Sequence, residues 1–285
     1  MPTFETPEPI MVTVDLVVGN VKIFASDRTD TVVEVRPSKP SKKDDINAAE
    51  ATKVDFVGGN LTITAPRGWR TYTLFGGNAS IDVIIQVPTG SRLHSTASVS
   101  ELVADGELGN CYAKTAVGDL QIDKAGPVEL RASGGNITVD HVVGHADITT
   151  GSGIVRIREV NGTAIIKNSN GDNWIRDVDG EVQVKTANGN ITVERAQGAI
   201  TAKTSNGNIR VGDVARGTVQ METATGELEI GIHPGTAAWL DVNTKHGKVR
   251  NLMDTVEAPG EAADKVEVYA RTSFGNVIVR HATAV

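Results

Sequence analysis

One short unit of this sequence recurs almost unchanged eighteen residues further on. Thr186-Ala187-Asn188-Gly189-Asn190-Ile191-Thr192-Val193 is followed by Thr204-Ser205-Asn206-Gly207-Asn208-Ile209-Arg210-Val211. Its glycine recurs at Gly118, Gly135, Gly153, Gly171, Gly189, Gly207, Gly226, Gly247 and Gly275. The steps are 17, then 18 four times, then 19, 21 and 28. A second file interleaves: Gly109, Gly126, Gly144, Gly162, Gly180, Gly198, Gly217 and Gly235. Self-similarity at a fixed period of this size means one small structural unit stacked on copies of itself.

Between the glycines the apolar residues alternate. Leu102, Leu120, Ile137, Val155, Ile191, Ile209 and Leu228 form one column. Ala104, Ile122, Val139, Ile157, Ile175, Val193, Val211 and Ile230 stand two residues further on. A spacing of two means strand with one face inward. Threonine closes most units, at Thr115, Thr150, Thr186, Thr204, Thr223, Thr244 and Thr272, with Ala132 and Asn168 in the remaining places and the threonine hydroxyl expected on turn backbone. The pattern predicts an all-β chain: a single-stranded parallel β-solenoid with rungs of about 18 residues, flattened and two- to three-sided or a right-handed β-helix. The uneven inward set Ile191, Val193, Ala196, Ile200, Ala202, Thr204 excludes a left-handed hexapeptide helix. Asn173 breaks the inward column, and a local bulge covered by its outward neighbour Trp174 is the expected remedy; Trp174 as a docking point is the other reading.

Residues 1–90 share this vocabulary without the strict period, and are expected to form degenerate rungs capping the stack, since an open last rung exposes unpaired edges. Two stretches interrupt them. Residues 37–52, with Lys39, Lys42, Lys43, Asp44 and Asp45, read as a solvated loop with at most a short helical turn. Residues 66–80 concentrate Trp69, Tyr72 and Phe75, either folded back on the solenoid or offered to a partner. Residues 91–285 are expected to be the regular solenoid, ending in a closing rung over Val266 to Arg280.

Composition narrows the function. Aromatics are 4% of the chain, which suits a thin aliphatic core better than a compact enzyme. The net charge of −7 argues against nucleic acid as a partner. Cys111 is the only cysteine, so no intrachain disulfide forms. The start lacks a basic, then apolar, leader and no transmembrane segment is found; a cytoplasmic location is the expectation, with peripheral membrane association open. No phosphate loop, nucleophile elbow or cysteine cluster is present, and no cofactor is expected. Glu129 and Asp147 fall one period apart at outward positions, the one stacked acid pair in the two outward columns through Gln183 and Thr192. His141 and His145 flank a corner, where their side chains need not converge.

The most suggestive outward column is basic. Directly before the threonine place stand Lys114, Arg131, Thr149, Lys167, Lys185 and Lys203; Glu222 ends the run and Arg271 takes the same place near the end. Like charges stacked across neighbouring strands cost stability. Either their stems cover the sheet and deter lateral pairing, or they contact an anionic surface, polymer or acidic partner.

The stacked T-x-x-G-[ND]-[ILV]-x-[VI] units resemble the bacterial toast-rack family of adhesin-like β-repeat proteins. So do the lead-in Val87-Pro88-Thr89-Gly90-Ser91 and the ending Ala270-Arg271-Thr272-Ser273-Phe274-Gly275-Asn276-Val277-Ile278-Val279-Arg280. The resemblance spans roughly residues 10–283. It implies a domain without established catalytic residues, found in envelope or membrane-stress settings. The sequence therefore predicts a non-enzymatic interaction module for a protein partner, a second copy of itself, or an anionic surface. A carbohydrate-binding or polysaccharide-active β-helix stays open as the alternative.

Overall fold

Alternating inward residues and paired glycine corners place a strand on each side of every turn. In the computed structural model, which describes residues 1–65, 79–253 and 264–282, the outcome is two faces of parallel strands enclosing a thin core. Close contacts divide the chain into two units, Met1–Asp140 and His141–Val285.

In the second unit one rung comprises Val182–Asn188 on the first face and Ile191–Ala196 on the second. The next rung is Ile200–Asn206 and Ile209–Val214. Partners are eighteen residues apart and parallel: Val182 opposes Ile200, and Ile191 opposes Ile209. The inward set Ile191, Val193, Ala196, Ile200, Ala202 and Thr204 is buried throughout. The fold is thus an all-β parallel β-solenoid.

The corner glycines answer to two constraints. Gly207 has φ +149°, where side-chain-bearing residues are strained. A Cβ there would also lie 2.1 Å from the carbonyl oxygen of Gly189 one rung below. Threonine completes the corner: the buried Thr204 hydroxyl donates to Gly189 O at 3.2 Å, and Thr223 to Gly207 O at 3.1 Å. The Asn column seals it from outside. Asn190 N–H donates to Asp172 Oδ1 at 2.8 Å and Asn208 N–H to Asn190 Oδ1 at 2.9 Å.

Asn173 does not bulge. It opposes Val155 and Ile191 in unbroken register and is 1% exposed. A second off-pattern residue compensates it. Asn168 occupies a threonine place, and its Nδ2 faces Asn173 Oδ1 at 3.2 Å and Gly153 O at 3.0 Å, while Asn173 Nδ2 donates to Gly171 O at 3.2 Å. The remaining acceptor, Asn168 Oδ1, is buried without a partner among the described residues.

The order of rungs departs from the order of the chain. Lys265–Phe274 lies between Gly217–Thr225 and Ala237–His246, and Val277–His281 lies between Leu228–Ile232 and Val249–Asn251. The unit that closes the sequence is therefore next to last in space. The Thr244 hydroxyl accordingly donates to Gly275 O at 2.8 Å, a residue later in the chain. This accounts for the long glycine steps to Gly247 and Gly275.

The first unit does the same at its start. Met11–Ser26 crosses both faces, turning at Gly19. Its first half lies between Asn60–Thr64 and Arg92–Val99, its second between Ile81–Pro88 and Leu102–Leu108. Beyond these, antiparallel strands Asp30–Pro37, Thr3–Glu5 and Lys53–Val57 form the β cap. Residues 37–52, expected as a loop, contain the helix Lys43–Ala51. Asp45, only 1% exposed, anchors it: its carboxylate accepts from Ser80 N–H at 3.0 Å and Lys39 N–H at 3.2 Å and faces Lys42 Nζ at 3.0 Å. Burial alone would raise this carboxyl's pKa; those bonds outweigh it and hold it below the ordinary carboxylate value.

Candidate functional site

Outward residues of regular rungs fall into columns whose successive members are about 4.8 Å apart, so chemistry accumulates along the stack. On the first face of the second unit, Thr149, Lys167, Lys185, Lys203, Glu222 and Arg271 stand in continuous register. Lys203 Nζ meets Glu222 Oε2 at 2.9 Å, and Arg271 reaches Asp241 Oδ2 at 3.2 Å. Lys167 and Lys185 are exposed and form no ion pair among the described residues. Uncharged columns flank them: Ile165, Gln183 and Thr201 on one side, Ser169, Ala187 and Ser205 on the other. Lys114 and Arg131 oppose each other in the first unit, where Arg131 is taken up by Glu129 at 2.7 Å. In the second unit the unneutralised part of the predicted basic column is therefore the small patch at Lys167 and Lys185.

The second face of the same unit carries a different feature, an open groove of about 770 Å³. Arg156, Trp174, Thr192, Arg210 and Glu229 follow one another in register along it. Trp174 is half-buried, and its indole N–H donates to Glu194 Oε1 at 3.0 Å. Thr192, a short side chain between Trp174 and Arg210, leaves the gap. Asp172, Asn190 and Asn208 edge the groove on the corner side. Glu229 accepts from Arg280 Nε at 2.7 Å and lies 4.0 Å from Arg210 Nε. Of these residues, sequence reading singled out Trp174 alone. The others sit in one outward column, and their period was the available signal.

The remaining candidates separate. Trp69, Tyr72 and Phe75 lie outside the described residues. His141 faces Glu159 at 3.4 Å, whereas His145 bonds Thr163 Oγ1 at 2.6 Å, so the two have different partners. Asp147 stands outward opposite Ile165. No group of three or more metal-binding side chains occurs among the described residues. Cys111 is buried, which pushes its thiol up to about 12 and keeps it from being a nucleophile near neutral pH. No described helix is long and apolar enough to cross a membrane.

The sequence profile of a family described as Toastrack DUF4097 matches residues 11–234. No curated protein matches the chain. Among solved structures the chain is similar to a putative adhesin from Parabacteroides distasonis, at 13% identity and TM-score 0.41 over 98% of this chain and 95% of that one. It is also similar to a putative adhesin from Parabacteroides merdae, at 13% identity and TM-score 0.38 over 98% and 94%. A putative lipid binding protein from Parabacteroides distasonis matches at 11% identity and TM-score 0.31 over 98% and 95%.

Proposed function

The chain belongs to the toast-rack family, and on that premise we propose that it is a non-enzymatic interaction module whose first face binds an anionic surface. The observation that carries this reading is the row Lys167, Lys185 and Lys203, stacked in register between two uncharged columns. Lys167 and Lys185, in successive rungs and without ion pairs among the described residues, repel one another at a cost of a few tenths of a kcal/mol, while Lys203 is offset in part by Glu222. An anionic partner recovers that cost and adds about 1 kcal/mol per lysine near a charged membrane. The test is co-sedimentation with vesicles containing anionic lipid. Wild type is expected to bind at low salt and release as salt rises. Lys167→Glu, Lys185→Glu and Lys203→Glu combined should lose binding. Equal binding by the triple variant would remove this reading.

A second reading, self-association, is favoured by the edge strand Ala237–His246. It has a neighbour on one side only among the described residues, and Trp239 on it is 54% exposed.

A further inference from the structure

We propose that the groove on the second face is a glycan site, taking an uncharged, extended oligosaccharide laid along the stack of rungs. This goes beyond the anionic-surface reading, which concerns the opposite face.

The argument starts from what the column leaves open. Trp174 and Arg210 are two rungs apart, about 9.6 Å at the backbone, and only Thr192 stands between them. The slot has an indole at one end, a guanidinium at the other and a hydroxyl on its floor. The bond to Glu194 holds the indole in one orientation before any ligand arrives, so ordering costs on binding are low. A sugar ring is apolar on its C–H face and polar around its rim. Its C–H groups suit the electron-rich face of an indole, and its vicinal hydroxyls suit paired donors and acceptors on planar groups.

Those rim partners are present and partly unspent. Asp172 uses one carboxylate oxygen on Asn190, and the Asn208 amide nitrogen has no partner among the described residues. Arg156, next to Trp174 in register, forms no ion pair among the described residues. The polar edge recurs, with Asp172, Asn190 and Asn208 one rung apart at about 4.8 Å, close to the length of one sugar ring, whereas the indole, hydroxyl and guanidinium each occur once along the slot.

The same lining argues against other ligands. Asp172, Glu194, Glu227 and Glu229 lie in or beside the groove and offset Arg156 and Arg210, so it has no net positive charge to draw in a polyanion such as nucleic acid or an anionic headgroup surface. The groove is open to solvent along its length, so it offers an acyl chain no enclosed apolar cavity. In the sequence, Glu129 and Asp147 are the stacked acid pair that the carbohydrate alternative would need beside a groove; the groove at Trp174 lies on the second face instead.

The experiment uses the full chain with Trp69→Phe and Trp239→Phe, which leaves Trp174 as the one tryptophan reporting by fluorescence. The probes are hexasaccharides of β-1,4-linked glucose, N-acetylglucosamine and mannose, with heparin and anionic vesicles alongside. At least one hexasaccharide should saturate the Trp174 signal. In the otherwise wild-type chain, calorimetry should show the same affinity. Trp174→Ala should weaken it at least tenfold, and Thr192→Trp, which fills the slot from an outward strand position, should abolish it with the circular dichroism unchanged. The triple lysine variant should bind the hexasaccharide as wild type does, so the two faces are tested separately. No saturation by any of the three sugars overturns the proposal. So does sugar binding that survives both Trp174→Ala and Thr192→Trp, and so does a Trp174 response to heparin or vesicles alone.

Discussion

Asn168 and Asn173 show how single positions bear on this fold. Each alone violates its column, and together they bond across the corner. The arrangement leaves Asn168 Oδ1 buried and unpartnered, a loss of about 1–3 kcal/mol. Neighbouring rungs place threonine and isoleucine there, as at Thr186 and Ile191. The double replacement Asn168→Thr with Asn173→Ile is therefore expected to stabilise the protein by about 1–3 kcal/mol, combining the lost penalty with the burial of an aliphatic side chain. Chemical denaturation followed by circular dichroism measures it, and a lower midpoint than wild type would contradict the account. The glycines allow no such freedom. Alanine at Gly207 meets both an unfavourable φ and a carbonyl oxygen 2.1 Å from its Cβ, and no rotamer change relieves either.

At the level of strands, position in the sheet outweighs position in the chain. Met11–Ser26 and Lys265–Phe274 lie near the chain ends, where fraying is the usual expectation. Both are paired on two sides over most of their length. Ala237–His246 is internal to the sequence yet paired on one side only among the described residues. Hydrogen exchange should therefore rank them by pairing. The amides of Met11–Ser26 and Lys265–Phe274 are expected to be slow and those of Ala237–His246 the faster set, since local opening follows buried contacts and shared hydrogen bonds. Protection that instead rises with distance from the nearer terminus would show that the inserted rungs do not form.

For the molecule as a whole, the two units end differently. The first carries antiparallel strands and the Asp45-anchored helix over its outermost rungs. The second ends on Ala237–His246 and Val249–Asn251, with Val249 45% and Leu252 63% exposed. Parallel edges with no second neighbour among the described residues can recruit further strands, so sedimentation velocity should show association that grows with concentration. Val242→Lys, on the half-exposed inward side of that strand, should shift the protein toward monomer. A monomer at every concentration, in wild type as in the variant, would exclude self-association through this edge.

Much of the architecture could be derived from residue order, because period, inward alternation and corner glycines are local properties that repeat with the chain. Gly189, Thr204 and Ile191 each declare their role by what stands eighteen residues away. The lysine column was readable for the same reason. Three things were not. The insertion of residues 265–281 between earlier strands depends on which edges meet, and a periodic pattern is equally satisfied by either order. The pairing of Asn168 with Asn173 depends on two side chains facing each other across a corner. The groove at Trp174 depends on the short Thr192 leaving room between larger neighbours in three successive rungs. Such depth is created only when strands distant in sequence lie side by side.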